Sequence, residues 1–545
     1  MRRRLLLMMT VLLSLNLSAQ KRDTLTVQIF TFDDITKRRG EFELPDDGRT
    51  WEKILMIRTL KCDEKTTRDK YPCGEWDYST HTMLYVPQGD TIEKYELENF
   101  VTPYGKGLDL NGEKGWTYIY DVTCYAPVLK GKVEISSGNQ QELLDMKFLF
   151  IEGTPVRDVI SVENLYPQGS YKYEHLADDK ALKPFMLKLN PKAKGYMLRA
   201  RISGHGHNGP RNCCEWDSKT HTYFGNKEVL FRWNVWKNCG NNPIYPQGGT
   251  WQFDRAGWCP GTPVDTYDFE LTNKVNPGDS LMFDYGIEMY SDNGEKNGNY
   301  LMSHQLVTYG GPNFKNDAAI TDIIAPSSKD EYSRVNPICK DPEILIQNTG
   351  KNTLRSLDIT YGLSNGRKET YTWNGTLEFL AQERVVLPNI MWKGLKKDSI
   401  FTVTISNPNG TTDDYKWNNN MTSIVKKPDV LPNKIYIYLE VQGHGRAQDN
   451  YYTLTNTVGE VIAERDMMED EEVYEDFVAL EKGCYELKVV DRKEDGMIRQ
   501  WWYRRSNPDL VGKNGKIAIY DKDHNLLKEL KYDFAESETY RFRVE

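Results

Sequence analysis

The sequence predicts an all-β chain assembled from several sandwich modules. Three observations predict it. At 545 residues the chain exceeds the roughly 250–300 residues at which a single hydrophobic core stops growing. Its 33 Tyr and 13 Trp belong to the residue types enriched in pleated sheet. Short apolar or alternating runs recur between Gly, Pro, Asn and Asp clusters, the pattern of strands and turns. With 39% hydrophobic and 27% charged residues the composition is that of a globular protein. A net charge of -9 and the lack of Lys/Arg clusters exclude nucleic acid, whose binding rests on neutralising phosphates.

The first twenty residues, MRRRLLLMMTVLLSLNLSAQ, carry a basic stretch (2–4), an apolar run (5–13) and the small residues Ser18 and Ala19 near a cleavage point. They predict a signal peptide over residues 1–19 and an exported chain: periplasmic, cell-surface or secreted. The run is too short to span a bilayer and no later stretch reaches about 18 apolar residues, so no membrane insertion is expected. Export places the nine cysteines in an oxidising compartment, and an odd count leaves at least one unpaired if all pairing is internal.

Strands are expected at 25–32, 54–60, 82–86 and 146–151, in a first module over 20–155. The stretch 155–195 interrupts the pattern, and a new set of strands starts with GYMLRARIS (195–203), in a second module over 156–315. From 316 to 428, strands at 343–346, 356–361 and 402–405 alternate with Asn-rich turns (NTGKNT, SNPNG, WNNNM), an immunoglobulin-like pattern. The last module, 429–545, contains GCYELKVVDRKEDGMIRQWWY and is similar to small terminal sandwiches of secreted bacterial hydrolases. Its acidic run MEDEEVYED (468–476) is expected as a solvated loop or sheet edge. Neither of the last two modules shows a convergent nucleophile, base and acid.

CGEWDYSTHT (73–82) returns as CCEWDSKTHT (213–222), with seven of ten positions identical. The repeat indicates one fold built twice, and two antiparallel double sheets of this size suit the jelly-roll architecture. On a strand, positions i and i+2 share a face, so Glu75 and Asp77 would project together, as would Glu215 and Asp217, with Trp76 and Trp216 opposite. Adjacent carboxylates raise one another's pKa and can carry a proton near neutral pH. The structural alternative is a core Trp flanked by acids paired with Arg.

The second copy is preceded by ISGHGHNGPRNC (202–213) and followed by NCGNNPIYPQGGTWQFDRAGWCPG (238–261). With FVTPYGKGLDL (100–110) and FIEGTP (150–155), and above all DRAGWCPG (254–261), residues 25–315 resemble the peptide-N-glycosidase F family, amidases that remove N-linked glycans from Asn. The resemblance implies two tandem jelly rolls with a site between them, an N-glycoprotein or N-glycopeptide substrate, and neither cofactor nor metal. It places the principal catalytic aspartate on Asp77, a second essential carboxylate on Glu215, and a guanidinium beside them on Arg255. Asp77 would activate water, Glu215 would hold it from the opposite wall, and Arg255 would orient a carboxylate or stabilise the oxyanion. Glu75, Trp76, His205, His207, Trp216 and Trp258 are expected around the substrate, Trp258 lining the sugar and Trp216 leaning towards the core. Cys62 with Cys73, and Cys239 with Cys259, keep the family's disulfide spacing.

The sequence departs from the family at several points. The family's third carboxylate falls near Gly138 in KVEISSGN (132–139), with Glu134 and Glu142 as the nearest acids; Asp217 replaces a cysteine; and His205 replaces a tryptophan. Vicinal cysteines rarely pair, so Cys213 or Cys214 is expected to bridge to Cys124. These changes raise a second reading, a glycan-binding or adhesion protein without turnover. A third comes from His205-Gly206-His207 with His221, a possible three-His metal set, because the fold also resembles copper monooxygenases of paired jelly rolls.

Overall fold

A computed structural model describes residues 23–545 apart from 34–37, 66–69, 139–140, 208–209, 291–297, 389–391, 393–394 and 397–398. The expected signal peptide lies outside the described residues. The architecture is almost entirely antiparallel sheet.

The chain's first two sheets face each other. One runs Thr24–Phe30, Leu143–Glu152, Trp51–Lys61, Trp116–Asp121; the other runs Arg39–Leu44, Gly131–Ser137, Ser79–Gln88, Thr91–Val101. In WEKILMIRTLK every second residue is buried, so the period-2 pattern sends Ile54, Met56 and Leu60 into a core with Phe148, Phe150, Leu84 and Ile135. Arg58 shares that face and is closed off by Glu98 of the opposing sheet and by Thr80 Oγ1 at 3.0 Å. A buried charge is tolerated only with such partners.

The next pair of sheets repeats the layout. Thr266–Glu270, Gly195–His205, Asn299–Pro312 and Arg157–Lys172 form one; Phe185–Lys188, Ser280–Ile287, Lys219–Gly225 and Glu228–Val235 form the other. Leu198, Ile202, Tyr223, Phe283 and Met302 fill the space between them. The two sandwiches lie flank to flank. Val162, Met197, Val307 and Tyr309 join the first core, Tyr125 Oη donates to Gln305 Oε1 at 2.6 Å, and Phe100 bridges to Pro263. The stretch 155–195, where the sequence pattern is interrupted, holds the 16-residue strand Arg157–Lys172. Its pairing with Asn299–Pro312 shifts register four times, which accommodates Pro167 and Gly169 and erases a readable alternation.

Residues 318–425 build a three-stranded and a four-stranded sheet around Ile344, Leu357, Trp373 and Phe401. Residues 429–544 build a five-stranded and a four-stranded sheet around Ile437, Leu454, Leu487 and Phe542. The end of the acidic run lies in Val473–Ala479, an edge strand. Cys339 and Cys484 form a disulfide that ties these two parts together. Tyr415 Oη donates to Glu52 Oε2 at 2.7 Å, fixing the third part to the first sandwich. Arg334 Nε donates to the Asn242 carbonyl at 2.7 Å and its Nη1 to the Ser537 carbonyl at 2.8 Å, bringing the last part against the long loop of the second sandwich. Among the described residues no helix is long and apolar enough to cross a membrane.

Candidate active site

The two E-W-D copies are turns, not strands. Each lies just before a strand, Ser79–Gln88 in the first sandwich and Lys219–Gly225 in the second. The Cys62–Cys73 disulfide and the left-handed Gly74 (φ +75°) bend the first copy. Arg211 and Asn212, at φ +52° and +64°, bend the second. The expectation that the paired acids share a strand face is therefore corrected. Glu75 turns to Lys70 at 3.1 Å, and Asp217 to Lys219 at 2.6 Å and Arg211 at 3.0 Å. What the turns bring together is one acid from each copy, Asp77 and Glu215.

Arg255 joins them. It is fully buried, and Nε donates to Glu215 Oε1 at 3.2 Å. Nη1 donates to the Phe253 carbonyl at 2.6 Å; Nη2 donates to the Thr250 carbonyl at 2.7 Å and to Thr250 Oγ1 at 3.0 Å. The Tyr104 hydroxyl lies near both Thr250 and Asp77. One guanidinium thus orients Glu215 directly and favours the charge of Asp77 from nearby. The indoles of Trp216 and Trp258 cover it, 4.3 and 4.8 Å from its centre.

Burial raises the Asp77 pKa, only partly offset by Arg255 and the Tyr104 hydrogen bond. Glu215 is raised for the same first reason, against Arg255, and the Asp77 charge pushes it further. Tyr104, between them, is pushed well above the ordinary phenol range by burial and by Asp77, so it stays a donor. Two carboxyl groups near enough to feel each other's charge, both with raised pKa, can exchange protons with water at the site.

The neighbouring residues divide into supports and surface. Trp258, expected to line the sugar, is 2% exposed; it packs with Val101 and Val264, and Nε1 donates to the Gly204 carbonyl at 2.7 Å. It is a buried support, because the DRAGW turn folds inward over the first sheet of the second sandwich. Trp76 is 54% exposed, which excludes the core alternative, and Trp216 is half-buried. His205 stacks on Trp258 at 5.2 Å, and its Nε2 lies 2.8 Å from Ser203 Oγ. Burial, with His81 and Arg255 nearby, pushes it down to about 3, so the ring is neutral. His207 is exposed and near enough to Glu215 to favour its charge.

The three-His set is not assembled: His221 is closed into the second core, Nδ1 2.6 Å from Tyr285 Oη and its ring stacked on Trp233. Among the described residues no three His, Cys, Asp or Glu side chains are grouped to hold a metal ion. Glu134 pairs with Arg39 at 2.5 Å, Glu142 is fully buried, and Gly138 donates its N–H to the His81 carbonyl at 3.2 Å.

Cys62–Cys73 and Cys239–Cys259 are disulfides. The expected bridge from Cys213 or Cys214 to Cys124 is not made; those two pair with each other. Cys124 is free and buried between the sandwiches, its Sγ 2.8 Å from Arg199 Nη1. The paired cysteines instead lie beneath Gly204 and Gly298, where a Cβ on Gly204 would stand 1.9 Å from the Cys214 carbonyl. Gly204→Ala is expected to displace the turn that carries Glu215 and to cost about 1–3 kcal/mol, read by chemical unfolding together with activity.

Sequence reasoning missed Tyr104, Thr250 and Phe253. No local motif marks them, since each acts through partners distant in the chain.

A family model described as "Peptide-N-glycosidase F, C terminal" matches residues 172–307. Peptide-N(4)-(N-acetyl-beta-D-glucosaminyl)asparagine amidase F of Elizabethkingia miricola is 31% identical over 295 residues, covering 49% of this chain and 79% of that protein. A crystal structure of peptide-N(4)-(N-acetyl-beta-D-glucosaminyl) asparagine amidase is 26% identical, covering 53% of this chain and 96% of that one, with a TM-score of 0.45. The structure of PNGase F, a glycosylasparaginase from Flavobacterium meningosepticum, is 27% identical with the same coverage and a TM-score of 0.44.

Proposed function

The chain belongs to the peptide-N-glycosidase F family, and from that premise we propose that it is an exported amidase that hydrolyses the amide bond between an N-glycan and Asn. The observation that carries this reading is the meeting of Asp77 and Glu215, from two sandwiches, on one buried Arg255. Water adds to the carboxamide carbon as Asp77 takes its proton. The C–N bond then breaks, the nitrogen leaves protonated as the glycosylamine, and Asp remains on the peptide. Glu215 holds the water from the other wall, and Asp77 delivers the proton it took to the leaving nitrogen. Arg255, without exposed surface, acts by fixing Glu215 and through its charge on both carboxylates rather than by touching substrate.

In this reading the amidase unit is the pair of modules 20–155 and 156–315, followed by modules 316–428 and 429–545. Four disulfides suit an oxidising compartment, in keeping with export. A second reading, glycan binding without turnover, is favoured by one observation: Glu134, an acid close to where the resemblance puts a third carboxylate, is committed to Arg39. Incubation with an N-glycopeptide followed by mass spectrometry separates the two. The released peptide is expected to be heavier than its Asn form by about one mass unit, whereas glycosidic cleavage would leave a sugar on Asn. An unchanged glycopeptide would select the binding reading.

A further inference from the structure

The segment 492–515 connects the strands Gly483–Asp491 and Lys516–Asp521. It is longer than the roughly 12–15 residues beyond which an irregular loop in a compact module usually serves a function. Its base is anchored: Met497 N–H donates to the Tyr532 carbonyl and Gly515 N–H to the Met497 carbonyl, both at 2.7 Å. Its tip is the short turn Trp501–Arg504. Trp501 is 42% exposed. Arg504 and Arg505 are exposed and make no ion pair among the described residues.

This tip lies at the candidate active site rather than on a remote face. Trp502 packs edge-on against Phe253 with ring centroids 5.8 Å apart, and Phe253 packs against Trp216 at 6.2 Å. Trp216 covers Arg255, the partner of Glu215. A line of rings therefore runs from the carboxylate pair to an uncovered indole supplied by the last module. The support beneath it is shared as well. Trp251 Nε1 donates to Asp533 Oδ1 at 3.0 Å, and Trp251, Ala535 and Tyr104 form one small apolar cluster.

We propose that the Trp501 tip is an outer subsite of the active site, binding the sugars of an N-glycan antenna beyond the disaccharide next to Asn. The inference rests on the amidase reading for the position of the inner sugars. The chemistry selects the occupant. Indole faces accept the C–H faces of pyranose rings, while two unpaired arginines beside them suit the carboxylate of an acidic terminal sugar. Continuity with the carboxylate pair supplies the direction in which the chain of sugars runs.

The test uses the full native chain, since none of its probes carries the amide between glycan and Asn. Calorimetry is run with three probes: a released sialylated biantennary glycan, N,N'-diacetylchitobiose, and a glycan-free Asn peptide. Adding Trp501→Ala is expected to weaken the biantennary glycan about five- to tenfold and to leave the disaccharide and the peptide within about twofold. Trp501→Phe should recover most of the loss, which a merely misfolded loop would not. Absence of binding by the biantennary glycan, equal weakening of both glycans, no weakening, or a loss confined to the peptide overturns the proposal. Native chain that binds the glycan but releases none from glycopeptide would remove the amidase reading and leave the subsite standing.

Discussion

Asp77→Asn is expected to lower glycan release by about a thousandfold or more, with the chain still folded and still binding glycan. Asn fills the same volume and can accept a hydrogen bond from the nearby Tyr104 hydroxyl through its carbonyl, so the surrounding packing survives. What disappears is the negative charge that takes the proton from water. The pH dependence separates this from a packing defect. Burial raises Asp77 above the ordinary value of about 3.9, so the rising limb of kcat/KM should sit above that value in the native chain. In Asp77→Asn the limb should vanish from the residual rate.

Stability should move the opposite way. Because the folded pKa exceeds the unfolded one, the contribution of Asp77 is present below the unfolded pKa and lost as pH rises through the folded pKa. At neutral pH the ionised group is a cost, and Asp77→Asn should raise Tm at pH 7 and leave it little changed at pH 3. Full activity in the variant, or a Tm that falls at pH 7, would remove Asp77 from the role given to it.

The parts of the fold that could be read in the sequence are those governed by local period. WEKILMIRTLK alternates strictly and is a strand with one buried face. Arg157–Lys172 is just as much a strand but was illegible, since repeated register shifts break the alternation. The site shows the same division. The resemblance to the family is what singles out Asp77 and Glu215 within the E-W-D repeat. The assignment of partners within it failed, because pairing acids at i and i+2 assumes extended backbone, and positive φ at Gly74, Arg211 and Asn212 turns the chain instead. Trp258 was misplaced for a similar reason: its neighbours in sequence are at the site, but the DRAGW turn points its ring inward. The contribution of Trp502 could not be read at all, since its contact with Phe253 depends on how a remote module docks.

Arg255 and Glu215 offer the second large effect, and it is one of coupling. Arg255→Met removes the guanidinium donors to the Phe253 and Thr250 carbonyls and leaves Glu215, already raised by burial, without its cation. Breaking a buried pair by deleting one partner costs about 3–5 kcal/mol, and loss of preorganised charge at the reacting centre about 10²–10³-fold in rate. Glu215→Gln alone leaves Arg255 able to donate to the amide oxygen and should cost less stability, while lowering the rate to a similar degree. In the double variant Arg255→Met, Glu215→Gln no charge is left uncompensated, so stability should recover by about 1–3 kcal/mol relative to Arg255→Met while activity does not return. Unfolding and release measured on the same four chains give the cycle. If the two substitutions add in stability, Arg255 is not the group that makes a half-buried Glu215 tolerable.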